Sequence, residues 1–219
     1  MNAIIQLNHI DKSYVNGKIR NQVLNDFSRS FTHRCFAVLA GPSGSGKSSL
    51  LNILATLDRP DAGEYWLNGS QVSFDNKKKL TELRKQNFGF VFQSFNLIPV
   101  LNALENVELP LTLFEYTKEE RSELAQQALE LVGLGDKTKK RPYEMSGGEQ
   151  QRVAIARAIA RHPTIIFADE PTANLDKQNA LNIIHLMQRL NEDEGLSFII
   201  ASHDEKVIRA GKEIVNLGE

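Results

Sequence analysis

Gly41-Pro42-Ser43-Gly44-Ser45-Gly46-Lys47-Ser48 fills every fixed position of the phosphate-loop pattern G-x-x-x-x-G-K-[ST]. Its flanks fit. The apolar run Phe36-Ala37-Val38-Leu39-Ala40 before it reads as a buried strand, and Ser49 to Leu57 after it as an amphipathic helix. Between strand and helix, glycines let backbone N–H groups converge on a phosphate without Cβ clashes. The helix N-terminus adds partial positive charge. In this pattern Lys47 reaches the β- and γ-phosphates and the Ser48 hydroxyl ligates Mg²⁺.

The rest of the chain suits a soluble α/β domain. It has 219 residues, 41% hydrophobic and 24% charged, with a net charge of −1. That balance gives no broad basic field, so no nucleic-acid partner is expected. The run Lys77-Lys78-Lys79 reads as a solvated loop or helix start. No apolar run is long enough to span a bilayer, and Met1 to Gln6 lack the features of a secretory signal. Cys35 stands alone in an apolar stretch and is expected in the core. These traits suit a cytoplasmic protein.

Strand-like runs broken by turns occupy residues 4–39, with Asn16-Gly17 as a tight hairpin turn. Residues 63–69 read as another short strand, and 77–160 as mostly helical. Thr117-Lys118-Glu119-Glu120 is a capping-box pattern opening a helix to about Val132, stopped by Gly133 and Gly135. Strands are expected at 164–168, 196–201 and 213–217, and a helix at 177–193. Strands alternating with helices imply a mostly parallel sheet.

Nucleotide chemistry needs an acidic site as well. Ile165-Ile166-Phe167-Ala168 carries Asp169-Glu170 to a strand's C-terminal end, where ligands gather in open α/β sheets. There Asp169 would hold Mg²⁺ and Glu170 would polarise an attacking water. Without the phosphate loop, the pair would equally mark a strand-end turn before Pro171. Met145-Ser146-Gly147-Gly148-Glu149-Gln150 opens a further helix with Ser146 as N-cap. Alone it is an ordinary capped helix, or a second anion-ready terminus.

Together these motifs resemble, over essentially the whole chain and in family order, the nucleotide-binding subunit of an ATP-binding cassette (ABC) transporter. MSGGEQ is similar to the family signature LSGGQ, with Met145 for Leu and Glu149 for Gln. The resemblance implies a signature of Ser146, Gly147, Gly148 and Glu149 acting in trans, in which Ser146, Gly147 and Gly148 face the γ-phosphate of an ATP held by a partner copy. It makes Gln93 the Q-loop glutamine, contacting the metal or water. It makes Ala173-Asn174-Leu175-Asp176 the D-loop, with Asn174 for the usual Ala, and His203 the switch histidine beside Glu170 and the γ-phosphate. Tyr14 matches the aromatic that stacks on adenine; alone it would be a packing residue. The implied nucleotide set is Tyr14, Gly41, Pro42, Ser43, Gly44, Ser45, Gly46, Lys47, Ser48, Ser49 and Gln93. Ser48, Gln93 and Asp169 are the implied metal set, and Glu170, His203 and Lys47 the catalytic set. The implied fold is a P-loop NTPase of ABC type over 1–219. Its mostly parallel core and N-terminal antiparallel β part cover about 1–80 and 162–219, its helical part about 81–161.

The resemblance further implies ATP and Mg²⁺ as ligands, an ATP-dependent homodimer, and a place on the cytoplasmic face of the inner membrane through a permease. Leu57 to Gly63, Gln93 to Leu111 and Asp169 to Asp176 are similar to the lipoprotein-releasing, macrolide-exporting and cell-division ABC ATPases of bacteria. There the permease has few spans and a large extracytoplasmic domain, and Phe95 to Pro99 would line a groove for its coupling helix, or pack internally. As the chain ends soon after its last expected strand, no C-terminal regulatory domain is expected. Two other readings stand beside this one: a regulatory ATPase gating a cell-wall hydrolase, and a soluble ABC ATPase acting on ribosomes or DNA.

Overall fold

The computed structural model describes residues 3–17 and 19–218. β1 (Ala3–Asn16) and β2 (Ile19–Thr32) form an antiparallel hairpin in which Asn16 pairs with Ile19. The expected turn is there at Gly17, whose φ of 62° favours glycine. Lys18, which completes it, lies outside the described residues, as do Met1 and Asn2. β3 (Phe36–Ala40) leads through the phosphate loop into α1 (Lys47–Leu54). β4 (Ala62–Leu67) and β5 (Ser70–Gln71) then extend the first sheet, giving the order β2-β1-β4-β5.

α2 (Lys77–Asn87) starts in exposed Lys77-Lys78-Lys79, capped by Asn76. β6 (Phe88–Val91) follows, then α3 (Ala103–Glu108), α4 (Lys118–Leu131) and α5 (Gly147–Ile159). The chain closes with β7 (Ile165–Asp169), α6 (Lys177–Asp193), β8 (Ser197–Ser202), α7 (Glu205–Ala210) and β9 (Glu213–Asn216). The second sheet is parallel, in the order β6-β7-β8-β3-β9.

Period-two alternation divides the core. On β3, Ala37 and Leu39 face the antiparallel sheet and α1, while Phe36 and Val38 face α4, α5 and α6. β7 does the same with Ile165 and Phe167 on one side and Ile166 and Ala168 on the other. All these side chains are buried, so the strands read as continuous apolar runs, as a sheet covered on both faces requires. At about 1.5–3 kcal/mol for each large apolar side chain removed from water, this double-sided core holds the strand ends rigid. It is on those ends that the chemistry sits.

Two elements depart from the sequence reading. β6 lies inside the stretch assigned to the helical part (81–161), yet it pairs with β7 in register, Phe90 opposite Phe167. The helical part therefore leaves the core after Val91. α7 was not foreseen at all; six residues give under two turns of periodicity. α4 starts after its cap Thr117 as its capping box predicts. Cys35 is buried, just ahead of β3 rather than within a strand.

Candidate functional site

The loop from Gly41 to Gly46 closes over the N-terminus of α1. Gly41 (φ 154°), Gly44 (φ 83°) and Gly46 (φ 93°) sit in conformations that suit glycine, and a Cβ on Gly41 would press on Ser45 Oγ and on the Leu217 carbonyl. Gly46 caps α1 without a side-chain bond, so the helix's first N–H groups have no side-chain cap. Lys47 is buried at 7% exposure, its ammonium donating to the Gly41 and Pro42 carbonyls at 2.8 and 2.7 Å. Ser45 Oγ, buried, finds no partner among the described residues. A cation held only by carbonyls, an unpartnered hydroxyl and an uncapped helix terminus together suit a polyphosphate.

Asp169 ends β7 opposite this loop, and the Ser48 hydroxyl donates to its Oδ1 at 3.3 Å. Burial pushes the Asp169 carboxyl up; the Ser48 bond offsets this in part, while the charge of Glu170 adds to the rise. A buried carboxylate so destabilised, with a hydroxyl oxygen beside it, is a hard-oxygen pair that a small divalent cation would relieve. Among the described residues no three His, Cys, Asp or Glu side chains converge into a metal cage.

Glu170 has a φ of 44°, rare for a side chain of this kind. His203 Nδ1 lies 2.6 Å from its Oε1, and the Ser202 hydroxyl donates to its Oε2 at 3.1 Å. The expected His203–Glu170 pairing is therefore present, and Ser202 is a partner that the sequence reading missed.

A cleft of about 410 Å³ gathers Tyr14, Ser43, Gly44, Gly46, Lys47, Ser48, Ser49, Gln93, Glu170 and His203, with Val23. Tyr14 is half-exposed, and its hydroxyl donates to Asp58 Oδ2 at 2.7 Å. Lys12 Nζ lies 4.9 Å from its ring centroid and bonds Asp58 Oδ1 at 2.9 Å. Burial alone would raise the Asp58 carboxyl, but the bonds from Lys12 and Tyr14 outweigh it and hold it low. Lys12 and Asp58, 46 residues apart, thus fix the orientation of Tyr14, a link no local pattern announces.

Ser146, Gly147, Gly148, Glu149 and Asp176 are not among the residues lining this cleft. Ser146 caps α5 through a full capping box: its Oγ accepts from Glu149 N at 3.3 Å and Glu149 Oε2 accepts from Ser146 N at 2.8 Å. Glu149 also pairs with Lys137, and that bond foremost, with those from Ser146, lowers its carboxyl to about 2. The two glycines pack against the 174–179 stretch of the same chain. A Cβ on Gly148 would meet Asn179 Oδ1 at 2.5 Å, and one on Gly147 would touch Leu175. Asp176 caps α6, and Asn174 donates to the Gln93 carbonyl at 3.0 Å. Thus Asn174 ties the D-loop to the Q-loop.

A second concavity of about 360 Å³, mostly apolar, runs past Leu57, Phe92, Leu113 and Phe114, with Arg84, Lys85, Arg157 and Arg161 around it. For Phe95 to Pro99 the sequence leaves open such a groove or internal packing. Leu97 packs on the core and Arg157 bonds the Phe95 and Asn96 carbonyls, so at least these residues are tied to the interior. Phe92, just before Gln93, supplies exposed apolar surface there together with Leu57 and Leu113.

The sequence pattern of the ABC transporter family matches residues 24–173. The lipoprotein-releasing system ATP-binding protein LolD of Francisella tularensis subsp. holarctica is 40% identical, over 98% of this chain and 94% of its own length. The macrolide export ATP-binding/permease protein MacB of Syntrophobacter fumaroxidans is 41% identical over 98% of this chain, a match covering 30% of that longer protein. The solved dimeric post-hydrolysis state of the ATP-binding cassette MJ0796, bound to ADP and Pi, superposes with a TM-score of 0.86 at 40% identity, covering 97% of this chain and 94% of that one.

Proposed function

The chain belongs to the ABC transporter family and is an ATP-hydrolysing nucleotide-binding subunit; on that premise we propose how its residues divide the work. Two copies pair head to tail, and each ATP lies between the phosphate loop of one and the Ser146 end of α5 in the other. Tyr14 stacks on the base. The α1 N-terminus, Lys47 and Ser45 bind the phosphates. Ser48, Asp169 and Gln93 would hold Mg²⁺, which would supply positive charge beside the phosphate oxygens. Glu170 accepts a proton from the attacking water, and His203 turns from Glu170 toward the γ-phosphate. Loss of that phosphate removes the contact shared by the two copies and lets them part.

The finer reading concerns the partner. We place the chain on the cytoplasmic face of the membrane, driving a permease with few spans and a large extracytoplasmic domain, as in lipoprotein release or macrolide export. The groove at Phe92 would receive a cytoplasmic helix of that permease. Supporting the ATPase half is one arrangement: Glu170 gripped at the end of β7, across from Lys47 in a single cleft. Supporting the partner half is the likeness to LolD and MacB, whose names state lipoprotein release and macrolide export. The test is a detergent-solubilised pull-down with Glu170→Gln, with and without Mg·ATP. A co-purifying permease with few spans and a large extracytoplasmic domain supports the partner reading. A permease with many spans overturns the branch, and ribosomal or DNA-bound partners overturn transport.

A further inference from the structure

Three consecutive residues at the end of β8 hold Glu170. The Ala201 carbonyl accepts its backbone N–H at 2.9 Å, the Ser202 hydroxyl donates to Oε2 at 3.1 Å, and His203 Nδ1 lies 2.6 Å from Oε1. The last two differ in kind. The His203 side chain is 66% exposed, just past the end of the strand. Ser202 is fully buried at 0% exposure. Its oxygen also accepts the Asp204 N–H at 3.1 Å, so its one proton is directed at Glu170. A glutamate has three side-chain torsions and here stands on a left-handed backbone, φ 44°, which persists only where neighbours enforce it.

We propose that Ser202 is the positioning residue of the hydrolytic centre: it keeps Oε2 of Glu170 fixed while His203 leaves Oε1. The inference rests on Glu170 being the base. When His203 turns to the γ-phosphate, Oε1 loses its partner and faces the water, with the carboxylate plane still set by Ser202. The water oxygen then bonds to the γ-phosphorus, the bridging P–O bond to ADP breaks, and the water's proton passes to Oε1. A base so anchored is presented in one geometry, which is where positioning contributes to rate.

The test is steady-state and single-turnover hydrolysis of Mg·ATP by the full chain carrying Ser202→Ala, Ser202→Thr or Ser202→Cys. The Ala variant is expected to lower kcat about tenfold with KM within about twofold, the mark of an interaction felt in the transition state. Threonine keeps the donor and restores most of kcat; cysteine, a weak donor of similar size, falls between. Placed on Glu170→Gln, Ser202→Ala adds no further loss, because its effect passes through that carboxylate. A native kcat in the Ala variant, an equal loss on the Gln background, or KM rising in step with the loss of kcat overturns the proposal. If the Ala variant does not fold in a thermal melt, the Cys variant decides: folded with native kcat, it overturns the proposal. Glu170→Gln alone separates the two levels. Native hydrolysis there removes the base reading itself, whereas an inactive Gln variant beside a fully active Ala variant removes Ser202 only.

Discussion

α1 and α5 both start at glycine-rich turns, but their N-termini are finished in opposite ways. α1 begins at Gly46, with no side-chain cap and no acidic residue in its first turn. α5 begins at Ser146 in a reciprocal capping box, with the Glu149 carboxylate folded over its own first turn and Lys137 beside it. An uncapped terminus keeps both its N–H donors and its partial positive charge for a phosphate. A capped one has satisfied part of that capacity already and offers the Ser146 hydroxyl and the first glycine N–H groups. The contrast suits a division in which α1 binds nucleotide in a single chain and α5 adds a weaker contact that counts only when a second chain arrives. Weakness there is useful, because a contact that must release after hydrolysis cannot be the strong one.

Changes that break this contrast rank by size. Glu170→Gln removes the base from the α1 side and is expected to lower kcat by about 10³ or more while ATP still binds; phosphate release under single turnover measures it, and a native rate ends the base assignment. Lys47→Ala withdraws the buried cation from the same side. Nucleotide affinity, read by equilibrium binding, should fall about a hundredfold or more; unchanged affinity would show that the α1 terminus suffices alone. On the α5 side, Ser146→Ala should leave single-chain nucleotide affinity as it is. It should weaken ATP-dependent pairing, and lower Tm by about 2–4 °C through the lost cap. A fall in single-chain affinity would mean that both termini serve one site within one chain.

The smallest effect is a pH dependence. The Lys137 bond, with those from Ser146, holds the Glu149 carboxyl at about 2, below its value of 4.5 in an unfolded chain. A carboxyl lowered on folding contributes stability above pH 4.5 that is lost as pH falls toward 2. Denaturant unfolding of Glu149→Gln across that window should therefore show a flatter acid slope than the native chain. Equal slopes would remove Glu149 from the account of how α5 is capped.

What could be read from sequence was whatever is local. The phosphate loop, the β7 end at Asp169, the Thr117 cap and the 177–193 helix each carry their signal within one element, and each stands where expected. The Ser146-to-Glu149 capping box was equally local; Ser-x-x-Glu announces it, and reading Glu149 only as a signature residue hid its structural task. Contacts between distant segments were out of reach. Lys12 meets Asp58, Ser202 meets Glu170 and Asn174 meets Gln93 only because the parallel sheet brings its strand ends together. The groove at Phe92 draws on residues from Leu57 to Pro163, which no window spans. α7 is too short for periodicity to declare.

The central claim is that one chain carries two half-sites that complete each other only between copies. ATPase activity per chain, followed across serial dilution with molecular mass read in parallel by light scattering, tests it most directly. Activity per chain should fall as the dimer dissociates, so that total rate rises more steeply than linearly with concentration. Activity per chain that stays constant into the range where only monomer remains would contradict it.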